Sequence, residues 1–161
     1  MTIVEKGKER FARVMRELGT FRGYTIKVGY QDNGETSDDG TPTVAIAIFN
    51  EFGTSDGKIP PRPFLSSAID SAHDEIRERF KVELDSILAD ERSAIQAAKR
   101  LGIFGVQLVK QRIRDSTSWA EPNADTTIDR KGSSKPLVDT GEMLNSVTWI
   151  VESNGSVVAS G

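Results

Sequence analysis

The sequence contains no cysteine, and this absence excludes several kinds of site. No disulfide framework can form, no thiolate can act as a nucleophile, and no cysteine-ligated zinc or iron–sulfur site can be built. Histidine is almost as scarce: His73 is the only one, and because no base or nucleophile pattern accompanies it, we interpret it as a surface residue. No glycine-rich phosphate loop is present. We therefore expect neither a metal nor a cofactor.

Long apolar runs and an excess of positive charge are also missing. No stretch approaches about 18 uncharged apolar residues, which predicts no membrane span, and the first residues lack the apolar core of a signal peptide. The net charge of −3 argues against a broad attraction to nucleic acid. We expect a protein of the cytosol that leaves only inside a larger object, with no membrane partner and no specific nucleic-acid binding.

The remaining composition is that of one ordinary domain spanning residues 1–161, with 37% hydrophobic and 28% charged residues. Apolar residues at helical spacing predict a first helix over residues 4–18, ended by Gly19. Alternation predicts a strand over residues 24–30. Residues 43–49 are ambiguous, since their β-branched content favours a strand, whereas their flanking Thr41, Pro42 and Gly53 favour a short helix. We prefer the helix.

The middle of the chain is dominated by two apolar stripes at helical spacing, over residues 65–88 and 95–113. They predict either one long helix or a helical pair that turns around Ala89 and Asp90. Residues 116–135 are polar and without periodicity, which predicts a long flexible loop.

The C-terminal residues return to alternation. Val147, Trp149 and Val151 alternate with polar residues, and Asn154-Gly155 then predicts a hairpin turn into a last strand. Together these patterns predict an α+β fold, in which a small antiparallel or mixed sheet packs against one or two long amphipathic helices.

The tripeptide Asp139-Thr140-Gly141 resembles the catalytic loop of an aspartic protease. Such an enzyme needs two aspartates that share a proton, but the tripeptide occurs once, only about twenty residues follow it, and Glu142 adds a charge. We prefer a structural interpretation, in which Asp139 and Glu142 form a capping box at the start of a helix over residues 141–145. A hydrolase centred on Asp139 is the remote alternative.

Trp119 is the one large aromatic in the polar segment 116–135. Two interpretations are open. It docks onto a partner, or it fixes the segment to its own domain.

Two segments carry a resemblance to a known family. Residues 50–65, the first motif segment, read NEFGTSDGKIPPRPFL, and residues 135–147, the second motif segment, read KPLVDTGEMLNSV. In combination, order and separation they resemble the small tail-completion and head–tail joining proteins of tailed bacteriophages. The resemblance covers about residues 24–151.

This resemblance implies a small α+β subunit without enzymatic activity that assembles into a ring, often a hexamer, at the neck of the virion. The implied partners are other copies of the chain, the tail tube protein and the head–tail connector. A tail terminator and an adjacent neck protein both fit. The protein would reside in the virion, and in the host cytoplasm during assembly. The main alternative is an adaptor that uses residues 116–135 on an unrelated partner.

Interface or structural roles are therefore expected for a set of residues drawn mainly from the two motif segments. These are Glu51, Phe52, Arg62, Pro63, Phe64, Trp119, Asp139, Thr140 and Gly141. Prolines on both sides of Arg62 should hold its guanidinium in a fixed direction. We predict that it pairs with a carboxylate, with Glu51 as the candidate, either within the subunit or across an interface.

Overall fold

The computed structural model describes residues 2–37, 40–132, 134–138 and 141–161. These residues form seven α-helices, one 3-10 turn and a three-stranded antiparallel sheet, which confirms the predicted α+β class. The helices are α1 (Ile3–Arg22), α2 (Thr43–Phe52), α3 (Phe64–Asp70), α4 (His73–Leu88), α5 (Ala94–Arg114), α6 (Asp125–Lys131) and α7 (Glu142–Asn145). The 3-10 turn is Ser116–Ser118, and the strands are β1 (Tyr24–Gly29), β2 (Thr148–Ser153) and β3 (Ser156–Ser160).

The chain divides into two compact units. The first unit comprises Met1–Val28, His73–Gly105 and Trp149–Gly161, and the second comprises Gly29–Ala72 and Val106–Thr148. Helix α5 thus contributes its first part to one unit and its last part to the other.

Helix α1 is longer than the sequence pattern predicts. It begins with a capping box, in which the Thr2 hydroxyl accepts from the Glu5 N–H and the Thr2 N–H donates to the Glu5 carboxylate. The predicted end at Gly19 is wrong, because the helix continues to Arg22. Phe21 is buried there, with its ring 5.2 Å from that of Phe80 on α4. This burial of an aromatic ring offsets the cost of a glycine in the helix, about 1 kcal/mol.

Helices α4 and α5 form the predicted pair rather than one long helix. The chain turns at Asp90, which has a left-handed φ of 63°. The Asp90 carboxylate accepts hydrogen bonds from the Arg13 guanidinium of α1, and Arg10 of α1 donates to the carbonyl of Ala89 at 2.8 Å. Both the geometry of the turn and its contacts with α1 therefore fix where the pair reverses.

The pattern of residues 65–88 predicts one continuous helix. The structure instead divides these residues between α3 and α4. The division occurs at Ser71, whose hydroxyl donates to the carbonyl of Ser67 at 2.7 Å. A serine that bonds back to its own helix competes with the helical hydrogen bonds. Periodicity continues across such a break, and therefore the stripe alone does not reveal it.

A buried carboxylate joins α4 to α5 in the first unit. Glu83 is 0% exposed and accepts from Arg100 Nε at 2.8 Å, while an Arg79 nitrogen lies 3.2 Å from the same oxygen. Arg92 lies 3.9 Å from its second oxygen. Because an unpaired buried carboxylate is strongly destabilising, these arginines stabilise the packing of α4 and α5 around Glu83.

The sheet has the strand order β1-β2-β3, with the predicted hairpin between β2 and β3. Asn154 and Gly155 have φ of 51° and 78°, as expected for a type I′ turn. Trp149 and Val151 are buried, as their alternation predicts. None of the helices in the described part of the chain is both long and apolar enough to cross a membrane.

Trp149 packs directly on Gly102 of α5. A Cβ built on Gly102 would lie 2.7 Å from Trp149 Cδ2, which is too close for any real contact. We therefore predict that Gly102→Ala lowers the free energy of unfolding by about 1–3 kcal/mol, because the ring or the helix must shift. Thermal and urea unfolding followed by circular dichroism measure this change.

Gly19→Ala is the matched control, because Gly19 is also inside a helix but has nothing within 4 Å of a built Cβ. It should stabilise the protein by up to about 1 kcal/mol through helix propensity alone. Equal effects of the two substitutions would contradict the close packing of Trp149 on Gly102.

Candidate functional site: the motif cluster of the second unit

The first motif segment starts on α2, continues through a closed loop and ends in the first turn of α3. Gly53 ends α2 with φ of 75°, and a Cβ there would lie 2.9 Å from the carbonyl of Ile59. The Thr54 hydroxyl accepts from the Ile59 N–H at 3.0 Å and donates to Asp56 at 2.7 Å. These contacts explain why this loop needs a glycine followed by a hydroxyl residue.

The carboxylate of Glu51 is buried and caps helix α3. It accepts from the backbone N–H groups of Leu65 and Ser66 at 2.8 and 3.0 Å, and from the Ser66 hydroxyl at 2.6 Å. The N-cap position of α3 is Pro63, which has no side chain able to cap the helix. A charge on α2 thus supplies the missing cap and fixes α2 to α3.

Tyr30 connects the two motif segments. Its ring meets that of Phe64 edge to face at 6.1 Å, and its hydroxyl donates to the carbonyl of Met143 at 2.9 Å. Phe64 is 1% exposed, and α2 packs against α7 of the second motif segment. The two segments therefore form one packed cluster, although about seventy residues separate them in the sequence.

Arg62 is buried, with 6% of its surface exposed. Its guanidinium donates to the backbone carbonyls of Glu121 and Pro122 at 2.8 and 3.1 Å, and to Asn123 Oδ1 at 3.3 Å. Burial lowers the pKa of Arg62 from its ordinary value, and the Glu121 charge opposes this. The pair predicted between Arg62 and Glu51 within the subunit is wrong, because backbone oxygens are the partners of Arg62.

Residues 116–135 are not the long structureless loop that their composition predicts. They contain the 3-10 turn and α6, which ends at a left-handed Gly132. The buried Ser116 donates to the carbonyl of Pro136 at 2.6 Å, and Asn123 Nδ2 donates to that of Lys135 at 3.2 Å. Polar side chains therefore hold this segment, and hydrophobic periodicity does not detect such contacts.

Trp119 fixes its segment to its own unit, which is the second of the two interpretations drawn from the sequence. The guanidinium of Arg112 lies 4.0 Å from the centre of the indole ring, and the indole N–H donates to the carbonyl of Arg112 at 2.9 Å. Arg112 also donates to the Ser67 hydroxyl at 2.9 Å. Trp119 is half-buried, and its polar atom has a partner inside the unit.

Asp139 and Thr140 lie outside the described residues. Gly141 is described and is the N-cap of α7, with a left-handed φ of 88°. Glu142 is therefore the first helical residue of α7, and the predicted capping box, which needs Asp139, lies outside the described residues. A left-handed N-cap is readily adopted by glycine, which explains Gly141 in the tripeptide.

A partly open cleft of about 1010 Å³ lies within this cluster. Its walls include Phe49 of α2, Ile59 and Pro60 of the proline-rich loop, and Leu137 and Met143 of the second motif segment. The described residues contain no group of three His, Asp or Glu side chains able to hold a metal ion. The lining of the cleft contains both apolar and polar residues, which suits contact with a ligand or a partner.

One face of α2 is apolar and exposed beside the cleft. Ile48, Phe49 and Phe52 form this α2 face, and Phe52 is 75% exposed. The only charged residue of α2, Glu51, is buried. An uncharged apolar face of this kind is typical of a surface that contacts another protein. Pro63 is also exposed, whereas Glu51, Arg62 and Phe64 are internal.

Comparisons of this chain with protein-family models, with curated proteins and with solved structures gave no match.

We predict that Arg62→Ala lowers the free energy of unfolding by about 2–4 kcal/mol, because one buried and two part-buried oxygens lose their donor. Lys58→Ala is the control, since Lys58 has an 84% exposed side chain and pairs only with the exposed Asp56. It should change stability by less than about 0.5 kcal/mol. Urea unfolding measures both. An Arg62→Ala protein as stable as the control would refute the role assigned to Arg62.

A second prediction concerns pH. Burial, and then the charge of Glu51, raise the pKa of Tyr30 above its ordinary value of about 10. The stability that protonated Tyr30 contributes is therefore complete below about pH 10 and is lost as the pH rises towards the folded-state pKa. Between about pH 10 and 11 this loss should approach about 1 kcal/mol.

Tyr30→Phe should remove this part of the alkaline destabilisation. The difference in free energy of unfolding between the wild type and the variant should therefore become smaller as the pH rises. At pH 7 the substitution should cost about 1 kcal/mol, because the hydrogen bond to Met143 is lost. Tyr24→Phe, at the chain's other tyrosine, is the control. Urea unfolding at a series of pH values measures the effect, and parallel pH profiles for the wild type and Tyr30→Phe would contradict it.

Proposed function

We propose that this chain is a structural protein of a tailed-phage virion: a tail-completion subunit that forms a ring, caps the tail tube and joins the tail to the head connector. The single observation that supports this most is the packing of the two motif segments into one cluster. Tyr30 bridges them from Phe64 to Met143, and Asn123 links the Arg62 contact to Lys135. The two segments that carry the resemblance to tail-completion proteins are therefore in contact in the folded chain.

The roles of the motif residues fit an architectural protein. The buried charges of Glu51 and Arg62 are both used on backbone groups, one to cap a helix and one to hold a loop. A rigid cluster with an exposed apolar face is suited to docking, because rigid segments lose little conformational freedom on binding. The tail tube protein, the connector and further copies of the chain are the proposed partners.

Electron microscopy of particles produced without this protein tests the proposal. We expect full heads without tails, beside tails that are unjoined or of abnormal length. Restoring the wild-type gene from a plasmid should restore joined particles. Normal, infectious particles in the absence of the protein would refute the proposed function.

A further inference from the structure

The first three turns of helix α1 have no buried residue. Every residue from 2 to 13 is exposed, and the first buried position is Val14. We call residues 2–13 the arm. Short helices are marginal in water and normally depend on packing for their stability. Arg10 and Arg13 bond the last turn of the arm to Ala89 and Asp90, but its apolar side chains are exposed and lack a packing partner among the described residues.

The arm carries an apolar stripe. Val4 and Phe11 of the arm lie on one face of α1, which Met15 continues just beyond the arm, and Phe11 is 68% exposed. Ile3, at the start of the helix, is 90% exposed. A stripe of this kind is the usual form of a helix that binds in an apolar groove of another protein.

Charge indicates which surface the arm fits. The arm contains four Lys and Arg against two Glu, a net charge of +2. The second unit contains eight Lys and Arg against thirteen Asp and Glu, a net charge of −5, whereas the first contains thirteen against eleven, a net charge of +2. The arm is therefore attracted to a second unit and repelled by another arm.

Apolar exposure indicates the same surface. Among the described residues of the second unit, every large hydrophobic side chain that is exposed belongs to the α2 face, namely Ile48, Phe49 and Phe52. Phe49 also lines the cleft of about 1010 Å³, so the face continues into a groove. The second unit thus offers one exposed apolar surface and carries a net negative charge.

We propose that the arm of one copy docks on the α2 face and adjoining cleft of a second copy. The two surfaces are different, so the contact is heterologous, and each copy both gives an arm and receives one. Repetition of such a contact produces a closed ring or an open filament. This inference deepens the proposed function, because it names the faces through which the ring subunits meet.

Charge-introducing substitutions on each surface test the contact by sedimentation velocity and native mass spectrometry. Phe11→Asp removes the arm's central apolar residue, and Phe52→Asp disrupts the α2 face. Each should raise the dissociation constant of self-association by about tenfold or more. Ile103→Asp is the control, since Ile103 is an exposed residue of α5 outside both surfaces, and it should leave association unchanged. Circular dichroism melts confirm that each variant is folded.

A mixture of the Phe11→Asp and Phe52→Asp variants tests the contact most directly. Phe11→Asp keeps a working α2 face, and Phe52→Asp keeps a working arm. A mixture should therefore form a 1:1 dimer and nothing larger, although each variant alone is monomeric. Because the chain has no cysteine, Phe11→Cys and Phe52→Cys copies can also be joined by a short bismaleimide, which should link these two positions between copies.

Several results would overturn the inference. Association that survives both substitutions would show that the copies meet through other faces, and the ring proposal would stand without the arm. A mixture that stays monomeric would show that the arm and the α2 face do not bind each other. A wild-type protein that is monomeric at every concentration and gives no cross-link would exclude a second copy as the occupant. Normal particles without the protein, combined with intact association, would refute only the neck function.

Discussion

The second unit depends on the burial of one guanidinium among backbone carbonyls. Arg62 reaches the Glu121 and Pro122 carbonyls and the Asn123 side chain, and Asn123 in turn donates to the Lys135 carbonyl. A residue of the first motif segment thereby positions the chain that enters the second. A planar group with five donors is suited to this task, since it satisfies several fixed acceptors at once. The prolines around Arg62 and the Glu51 cap on α3 hold its own segment in place.

Both units place ionic groups in buried positions and pair them within the unit, although Glu83 Oε2 and Arg79 Nε accept or donate no hydrogen bond among the described residues. Glu83 in the first unit is held by arginines from α4, α5 and the turn between them, and Glu51 in the second is held by N–H and hydroxyl groups. Apolar residues are instead left exposed on the arm and on the α2 face. The buried ionic groups therefore hold the fold, whereas the arm and the α2 face keep apolar side chains that remain accessible.

The elements with regular patterns could be predicted from the sequence. The hairpin at Asn154-Gly155 and strand β1 follow from turn chemistry and periodicity, whereas for helix α2 and for the pair α4 and α5 the sequence left a second interpretation open. The break at Ser71 and helix α6 could not, because a side chain bonding to its own backbone and a seven-residue helix leave no apolar period.

The two motif segments pack together in the second unit, but most contacts of their residues were not predictable. Arg62 and Glu51 bind backbone groups. Because every residue has a backbone N–H or carbonyl, the sequence does not indicate which of these groups a charged side chain binds. The predicted pair of Arg62 with Glu51 is therefore wrong. The apolar stripe of α1 likewise does not indicate which of its residues are buried. Periodicity identifies Phe11 and Val14 equally as apolar positions, yet only Val14 is buried. Which surface covers an apolar residue depends on tertiary and quaternary contacts.

The central claim is that this chain is an architectural subunit whose copies meet through the arm and the α2 face at the neck of a tailed virion. Cryo-electron microscopy of the neck of purified particles tests it most directly. The account predicts a closed ring of this chain between the head connector and the tail tube, with the arm of each copy on the α2 face of the next. A neck without this chain, or a ring in which the arms are exposed to solvent, would contradict it.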